Sequence, residues 1–269
     1  MLEALRSLRN QVDFRLRGTL AISRTGYRED GLPADFLQRK YGAAAGAELQ
    51  DLADRWGLEA FRDKLAPMSY LDNLCHLLLL DALDWPASEP ACRTVLDVGS
   101  KNFAYCPALW QFLQKKGMLA ADAQLDGIEV DPHRLYPGLY TRAACSAWYT
   151  SLTGSCRYLG GDVLDLSAAQ RYGLVTVFFP FIHQDSVLSW GLPAKFLRPR
   201  QLFRQVTDLL RPGGLLVVSH YTEQEYRDSP AGSGDGLELL DRKVVTHALT
   251  GNKPLISCLY RRRTRLTKP

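Results

Sequence analysis

Between Arg93 and Ser219, short β-rich runs alternate with amphipathic helical stretches, and no other feature restricts the fold as much. The runs are Thr94–Val98 closing on Gly99, Gly127–Val130, Arg157–Leu159 before Gly160-Gly161, Leu174–Phe179 and Leu215–Ser219. Leu174–Phe179 is almost wholly apolar, as expected of a strand covered on both faces. Between the runs, Leu109, Phe112 and Leu113 repeat at helical spacing, as do Leu202, Phe203, Val206, Leu209 and Leu210. Pro132–Thr153 reads as mostly helical with a break near Pro137 and Gly138, and Pro212-Gly213-Gly214 reads as a helix end. Such alternation predicts an α/β fold with a doubly wound, Rossmann-like sheet. Lys243–Leu249 and Leu255–Tyr260, joined through Gly251-Asn252, add an antiparallel terminal hairpin.

The first ninety residues have a different texture. Leu49, Leu52, Ala53 and Trp56 recur at helical spacing ahead of Gly57, and Leu71, Leu74, Cys75, Leu78 and Leu79 do so up to the Trp85-Pro86 stop. Thr25–Pro33 reads as a loop. The expected organisation is a helical N-terminal cap over residues 1–90 and an α/β domain over 91–269. With 269 residues and 46% hydrophobic content, the chain can bury a large core without staples. The six cysteines, Cys75, Cys92, Cys106, Cys145, Cys156 and Cys258, form no CxxC pair and read as reduced thiols. Charged Met1–Arg17 lacks the apolar core of a signal peptide, and no run is long enough to span a bilayer, so a soluble cytoplasmic protein is expected. The net charge of +4 does not by itself imply a nucleic-acid partner.

In doubly wound sheets, ligands bind beyond the carboxyl ends of the strands. There the sequence places Asp97-Val98-Gly99-Ser100-Lys101-Asn102-Phe103, Glu129 with Asp131, and Gly161-Asp162-Val163. A glycine after the first strand lets backbone approach a ligand closely. An ionised Glu129 accepts hydrogen bonds only, which suits a pair of ribose hydroxyls, and Asp162 suits an adenine amino group. In order and spacing, Val95–Gly99, Gly127–Asp131, Gly161-Asp162 and Leu210–Gly214 resemble the motifs of class I S-adenosylmethionine-dependent methyltransferases. The resemblance covers roughly residues 93–263. It implies S-adenosylmethionine as cofactor, with Asp97, Gly99, Glu129, Asp162 and Val163 as cofactor-binding candidates, to which residue type and place add Lys101 and Asn102. It also implies methyl transfer to oxygen or nitrogen, with a small molecule as the expected substrate; neither a membrane partner nor a metal is expected from the apolar runs and the cysteine pattern.

The family's first motif carries further glycines after Gly99, where this chain has Lys101 and Phe103, so an altered loop is expected there. Lys101 or Asn102 is a candidate for the cofactor carboxylate. The fourth strand leads into Phe179-Pro180-Phe181, unlike the Asn-Pro-Pro-Tyr motif of enzymes acting on amide or ring-amino nitrogen. His183 and His220 follow apolar strands and are the candidate bases. Phe181, Trp190 and Tyr221 are candidates for an aromatic substrate pocket. Trp148 reads as core packing, and the basic run Arg261–Arg265 as a solvated end. Three alternatives stay open: an RNA or protein methyltransferase, a nicotinamide enzyme lacking the GxGxxG turn, and a binding protein with a degenerate cofactor site.

Overall fold

The computed structural model describes residues 2–87, 89–167, 171–232 and 236–264. Residues 233–235, inside the Gly- and Ser-rich stretch 229–236 that reads as a surface loop in the sequence, and Arg265 of the basic run, lie outside them. Seven strands form one sheet: β1 (Cys92–Val98), β2 (Leu119–Glu129), β3 (Cys156–Gly160), β4 (Tyr172–Phe178), β5 (Leu210–His220), β6 (Leu237–Val245) and β7 (Leu255–Arg262). Their order is β3-β2-β1-β4-β5-β7-β6. The first five are parallel, and β7 runs antiparallel to both β5 and β6. The chain leaves β1 toward β3 and then returns to its other side as β4. That reversal is the switch point where doubly wound sheets open a crevice.

The helices are α1 (Leu2–Leu20), α2 (Phe36–Tyr41), α3 (Ala43–Trp56), α4 (Pro67–Asp81), α5 (Cys106–Lys115), α6 (Arg142–Ser151), α7 (Gln184–Ser189), α8 (Pro199–Leu209) and α9 (Glu223–Asp228). Alternation along the strands divides the core into two layers. Val95, Leu174, Leu215 and Val217 pack with the residues of α3, α4 and α5, while Leu96, Val175, Leu216 and Val218 pack with Phe203, Val206 and Leu209 of α8. The buried Asn73 side chain ties α4 to α5. Its amide donates to the Ala104 carbonyl at 2.7 Å and its oxygen accepts from Ala108 N–H at 2.9 Å.

Several boundaries differ from the sequence reading, each for a local reason. β2 starts at Leu119 rather than Gly127: Ala120–Asp122 lack an apolar alternation, and beyond a register shift Leu119 pairs with Cys92. β6 starts at Leu237, where Glu238, Asp241 and Arg242 give the polar face expected of an edge strand. α6 begins only at Arg142, where Thr141 Oγ1 accepts from Ala144 N–H at 3.1 Å as an N-cap. Pro212–Gly214 falls inside β5, not at a helix end, and α4 stops at Asp81, short of Trp85-Pro86. The terminal hairpin closes through a short helical turn, Ala248–Thr250, before Gly251 and Asn252 adopt positive φ.

The N-terminal residues do not pack as one block. α2, α3 and α4 join the layer over α5, while α1 lies against the segment around α7. Asn10 Nδ2, buried, donates to the carbonyls of Leu188 and Leu192 at 3.0 Å each. Arg17 reaches Asp131, just beyond β2, at 2.8 Å. Phe14 packs on Phe196 with ring centroids 5.1 Å apart. All six cysteines are free, and among the described residues no helix is long and apolar enough to cross a membrane.

Candidate functional site

A cavity opens at the carboxyl ends of β1 to β4, across the switch point. Gly99 and Lys101 after β1, Glu129 at the end of β2, and Asp162 and Val163 after β3 line one side. Phe179-Pro180-Phe181 after β4, with Trp190 and Arg198, line the other. The strand ends therefore bring Gly99, Lys101, Glu129, Asp162 and Val163 to one wall, and Phe181, Trp190 and Tyr221 to the same cavity.

Glu129 is the best-anchored group of the wall. Its Oε2 accepts from Lys101 N–H at 2.9 Å, and its Oε1 accepts from Asp131 N–H at 2.9 Å and from Arg142 Nη1 at 2.7 Å. Both members of the Glu129–Arg142 pair are almost fully buried. A carboxylate offers about four lone-pair sites, so three donors leave one free. Asp162 accepts from Leu164 N–H at 3.0 Å and pairs with Arg198.

The loop after β1 keeps a glycine-like backbone without the glycines. Gly99, Lys101 and Phe103 all have positive φ, at 80°, 53° and 58°. The left-handed region costs an L-residue roughly 1–2 kcal/mol. Burial offsets that cost at Phe103, whose ring is fully enclosed against Gly127. A Cβ on Gly127 would lie 2.6 Å from that ring. We expect Gly127→Ala to lower stability by about 1–3 kcal/mol through overpacking, measured by urea unfolding. An unchanged midpoint would mean that Phe103 does not need the space.

Two cofactor candidates are not brought to the wall. Asp97 is completely buried one layer beneath it, accepting from Tyr105 Oη and Thr176 Oγ1, each at 2.6 Å. Burial pushes its carboxyl up to about 7. Asn102 is half-buried and outside the cavity lining. Neither candidate base reaches the cavity. His183 precedes α7 and pairs through Nε2 with exposed Asp228 at 2.8 Å. His220 is fully buried on the α9 side of the sheet, 6.0 Å from the Tyr226 ring, with neither ring nitrogen hydrogen-bonded among the described residues. Burial lowers its pKa to about 4, so it stays neutral. A strand-end position did not reveal which way these side chains turn.

The aromatic candidates do meet. Tyr221 stacks on Phe179 at 4.0 Å between centroids and 14° between planes, and Phe181 lies 6.3 Å from Trp190. The Trp190 ring also has Lys101 Nζ at 5.3 Å and the Arg142 guanidinium carbon at 5.4 Å. A second cavity shares Phe179, Pro180, Phe181, Trp190 and Tyr221 with the first and adds Asp185, Ser186, Ser189 and Glu225. Sequence reasoning missed Arg142, Arg198 and Glu225. Each belongs to a helix or its approach, with no local motif to mark it.

No family model and no curated protein matches this chain. Solved structures do resemble it. The N-methyltransferase NodS from Bradyrhizobium japonicum WM9, in complex with S-adenosyl-L-homocysteine, is 15% identical; the alignment covers 86% of this chain and 98% of NodS, with a TM-score of 0.47. A SAM-dependent methyltransferase from Aquifex aeolicus is 12% identical over 80% of this chain and 97% of its own, TM-score 0.47. The cyclase SpnF is 14% identical over 71% and 82%, TM-score 0.45. The strand order and antiparallel β7 decide the architecture. It is the doubly wound, Rossmann-like sheet with an antiparallel terminal hairpin that the sequence resemblance implies. A fold does not by itself dictate one reaction.

Proposed function

We propose that the chain is an S-adenosylmethionine-dependent methyltransferase. One observation carries the reading: the carboxyl ends of β1, β2 and β3 bring Gly99, Glu129 and Asp162 to a single cavity at the switch point. The residues present fit the cofactor. A Cβ on Gly99 would meet nothing within 4 Å, which leaves backbone open to a ligand. Arg142 Nε and Arg198 Nε, on cavity-lining residues, are buried with no hydrogen-bond partner among the described residues.

In this reading Glu129 uses its remaining lone pair on the ribose, and Asp162 with Val163 borders the adenine. Lys101 is the cation available to the methionine carboxylate. When bound, S-adenosylmethionine supplies a methyl group activated on a sulfonium. The chain's own part is to hold an acceptor close and aligned, which can provide much of the rate. Phe179, Phe181, Trp190 and Tyr221 exclude water there and offer π faces to positive charge. The acceptor is a small molecule, taken through the second cavity. α1 serves as a cover, because Arg17 and Asn10 dock it on Asp131 and on the backbone around Trp190.

Calorimetric titration with S-adenosylmethionine and S-adenosylhomocysteine tests this, and saturable binding is expected. Glu129→Ala is expected to weaken binding by about tenfold or more, as for loss of a charge-assisted hydrogen bond. Undiminished affinity in that variant would overturn the ribose assignment, and no binding of either ligand would overturn the cofactor reading.

A further inference from the structure

We propose that the second cavity receives its substrate as a cationic amine, with the amine nitrogen as the methylated atom; this rests on the cofactor reading above. Charge divides the two cavities. Lys101 and the ion pairs Arg142–Glu129 and Arg198–Asp162 line the first, whereas among the described residues the second is lined by Asp185 and Glu225 and by no basic side chain. Among the described residues, neither of these carboxylates has an ion-pair partner. Glu225 is only 8% exposed although it borders the cavity. One of its oxygens accepts from Tyr221 N–H at 2.8 Å, and the other has no hydrogen-bond partner among the described residues. A nearly buried carboxylate without a cation is costly unless something positive comes to it.

The rest of the wall is aromatic. The Phe179–Tyr221 stack and the Phe181–Trp190 pair are shared with the first cavity. Aromatic faces combined with unpaired carboxylates recognise an ammonium group and repel carboxylates and phosphates.

The chemistry favours nitrogen over oxygen for the same reason. A hydroxyl acceptor must lose its proton during transfer, and no histidine lines either cavity among the described residues. An ammonium instead gives its proton to water before reacting. The nitrogen lone pair then forms the N–C bond as the C–S bond breaks, its electron pair leaving with sulfur. Positive charge passes from sulfur to nitrogen, and Asp185 and Glu225 stabilise it where it develops.

The test begins with titration of S-adenosylhomocysteine into the protein. The saturated complex is then titrated with benzylammonium, phenethylammonium and hexylammonium, and with the matching alcohols, followed by tryptophan fluorescence and calorimetry. Each amine is expected to bind about tenfold more tightly than its alcohol. Asp185→Asn and Glu225→Gln are expected to remove most of that preference without altering S-adenosylhomocysteine affinity. Asp185 is exposed, and glutamine at 225 keeps an acceptor for Tyr221 N–H, so both variants retain the fold. With S-adenosylmethionine present, mass spectrometry should find the methyl group on nitrogen. Cofactor binding without any amine preference, or a preference that both variants keep, overturns the proposal alone. No cofactor binding removes the underlying reading and the proposal together.

Discussion

Replacing Arg142 with alanine should lower the unfolding free energy by about 3–5 kcal/mol, the usual cost of leaving one member of a buried ion pair alone. Arg142 and Glu129 approach to 2.7 Å with side-chain exposures of only 3% and 5%. Alanine leaves the Glu129 carboxylate without its charged donor. Two backbone N–H groups, from Lys101 and Asp131, still face Glu129 in the variant, which places the loss below that of an isolated buried charge. Urea unfolding of Arg142→Ala, Glu129→Gln and the double variant gives the coupling directly. The double variant should lose less than the sum of the single losses. Additive losses would mean that the two side chains do not stabilise each other. The pair also joins α6 to the end of β2, so Arg142→Ala should loosen the wall that holds Glu129. Cofactor affinity and stability should then fall together.

Much of the sheet was legible because its strands obey local rules. β4 is a fully buried apolar run, and the hydrophobic period on α8 changes abruptly from that of the adjoining strands. Strand ends near Gly99, Glu129 and Asp162 followed from the same pattern, and the structure brings those residues to one cavity. What stayed hidden depends on direction and distance. Asp97 occupies a strand end like Glu129, yet its side chain turns into the sheet toward Thr176 and Tyr105. His220 closes β5 but faces the core layer, because register in β5 fixes alternate residues to alternate faces. Arg142 reaches Glu129 only because the bridge between Leu135 and Thr141 bends the chain back before α6. The substitution of Lys101 and Phe103 for glycines suggested a different loop. The backbone is left-handed at both positions, and Gly127 on the neighbouring strand leaves room for the Phe103 ring.

Asp97 makes the stability of the sheet depend on pH in the direction opposite to a salt-bridged carboxylate. Burial raises its pKa to about 7, although Thr176 and Tyr105 hydroxyls favour the ionised form. In the unfolded chain an aspartate titrates near ~3.9. Below ~4 the residue is protonated in both states and contributes no pH dependence. Between ~4 and ~7 the unfolded chain releases its proton while the folded protein keeps it, so stability falls as pH rises. Above ~7 both states are ionised and the loss is constant. Integrated from about pH 5 to about pH 8, the loss attributable to Asp97 is roughly 2–3 kcal/mol. Asp97→Asn cannot titrate, and its amide can donate to a reoriented Thr176 or Tyr105 hydroxyl. Its unfolding free energy relative to the unaltered protein should therefore move in the variant's favour by about that amount over the same range. Parallel pH profiles would show that Asp97 is already ionised at the low end and that its two hydroxyl donors outweigh burial. The expected divergence would make Asp97 a neutral pin beneath Gly99 in mildly acidic solution. Tyr105, stacked on the buried His76 ring at 3.7 Å, would then anchor the loop that frames the cavity through a hydrogen bond rather than through charge.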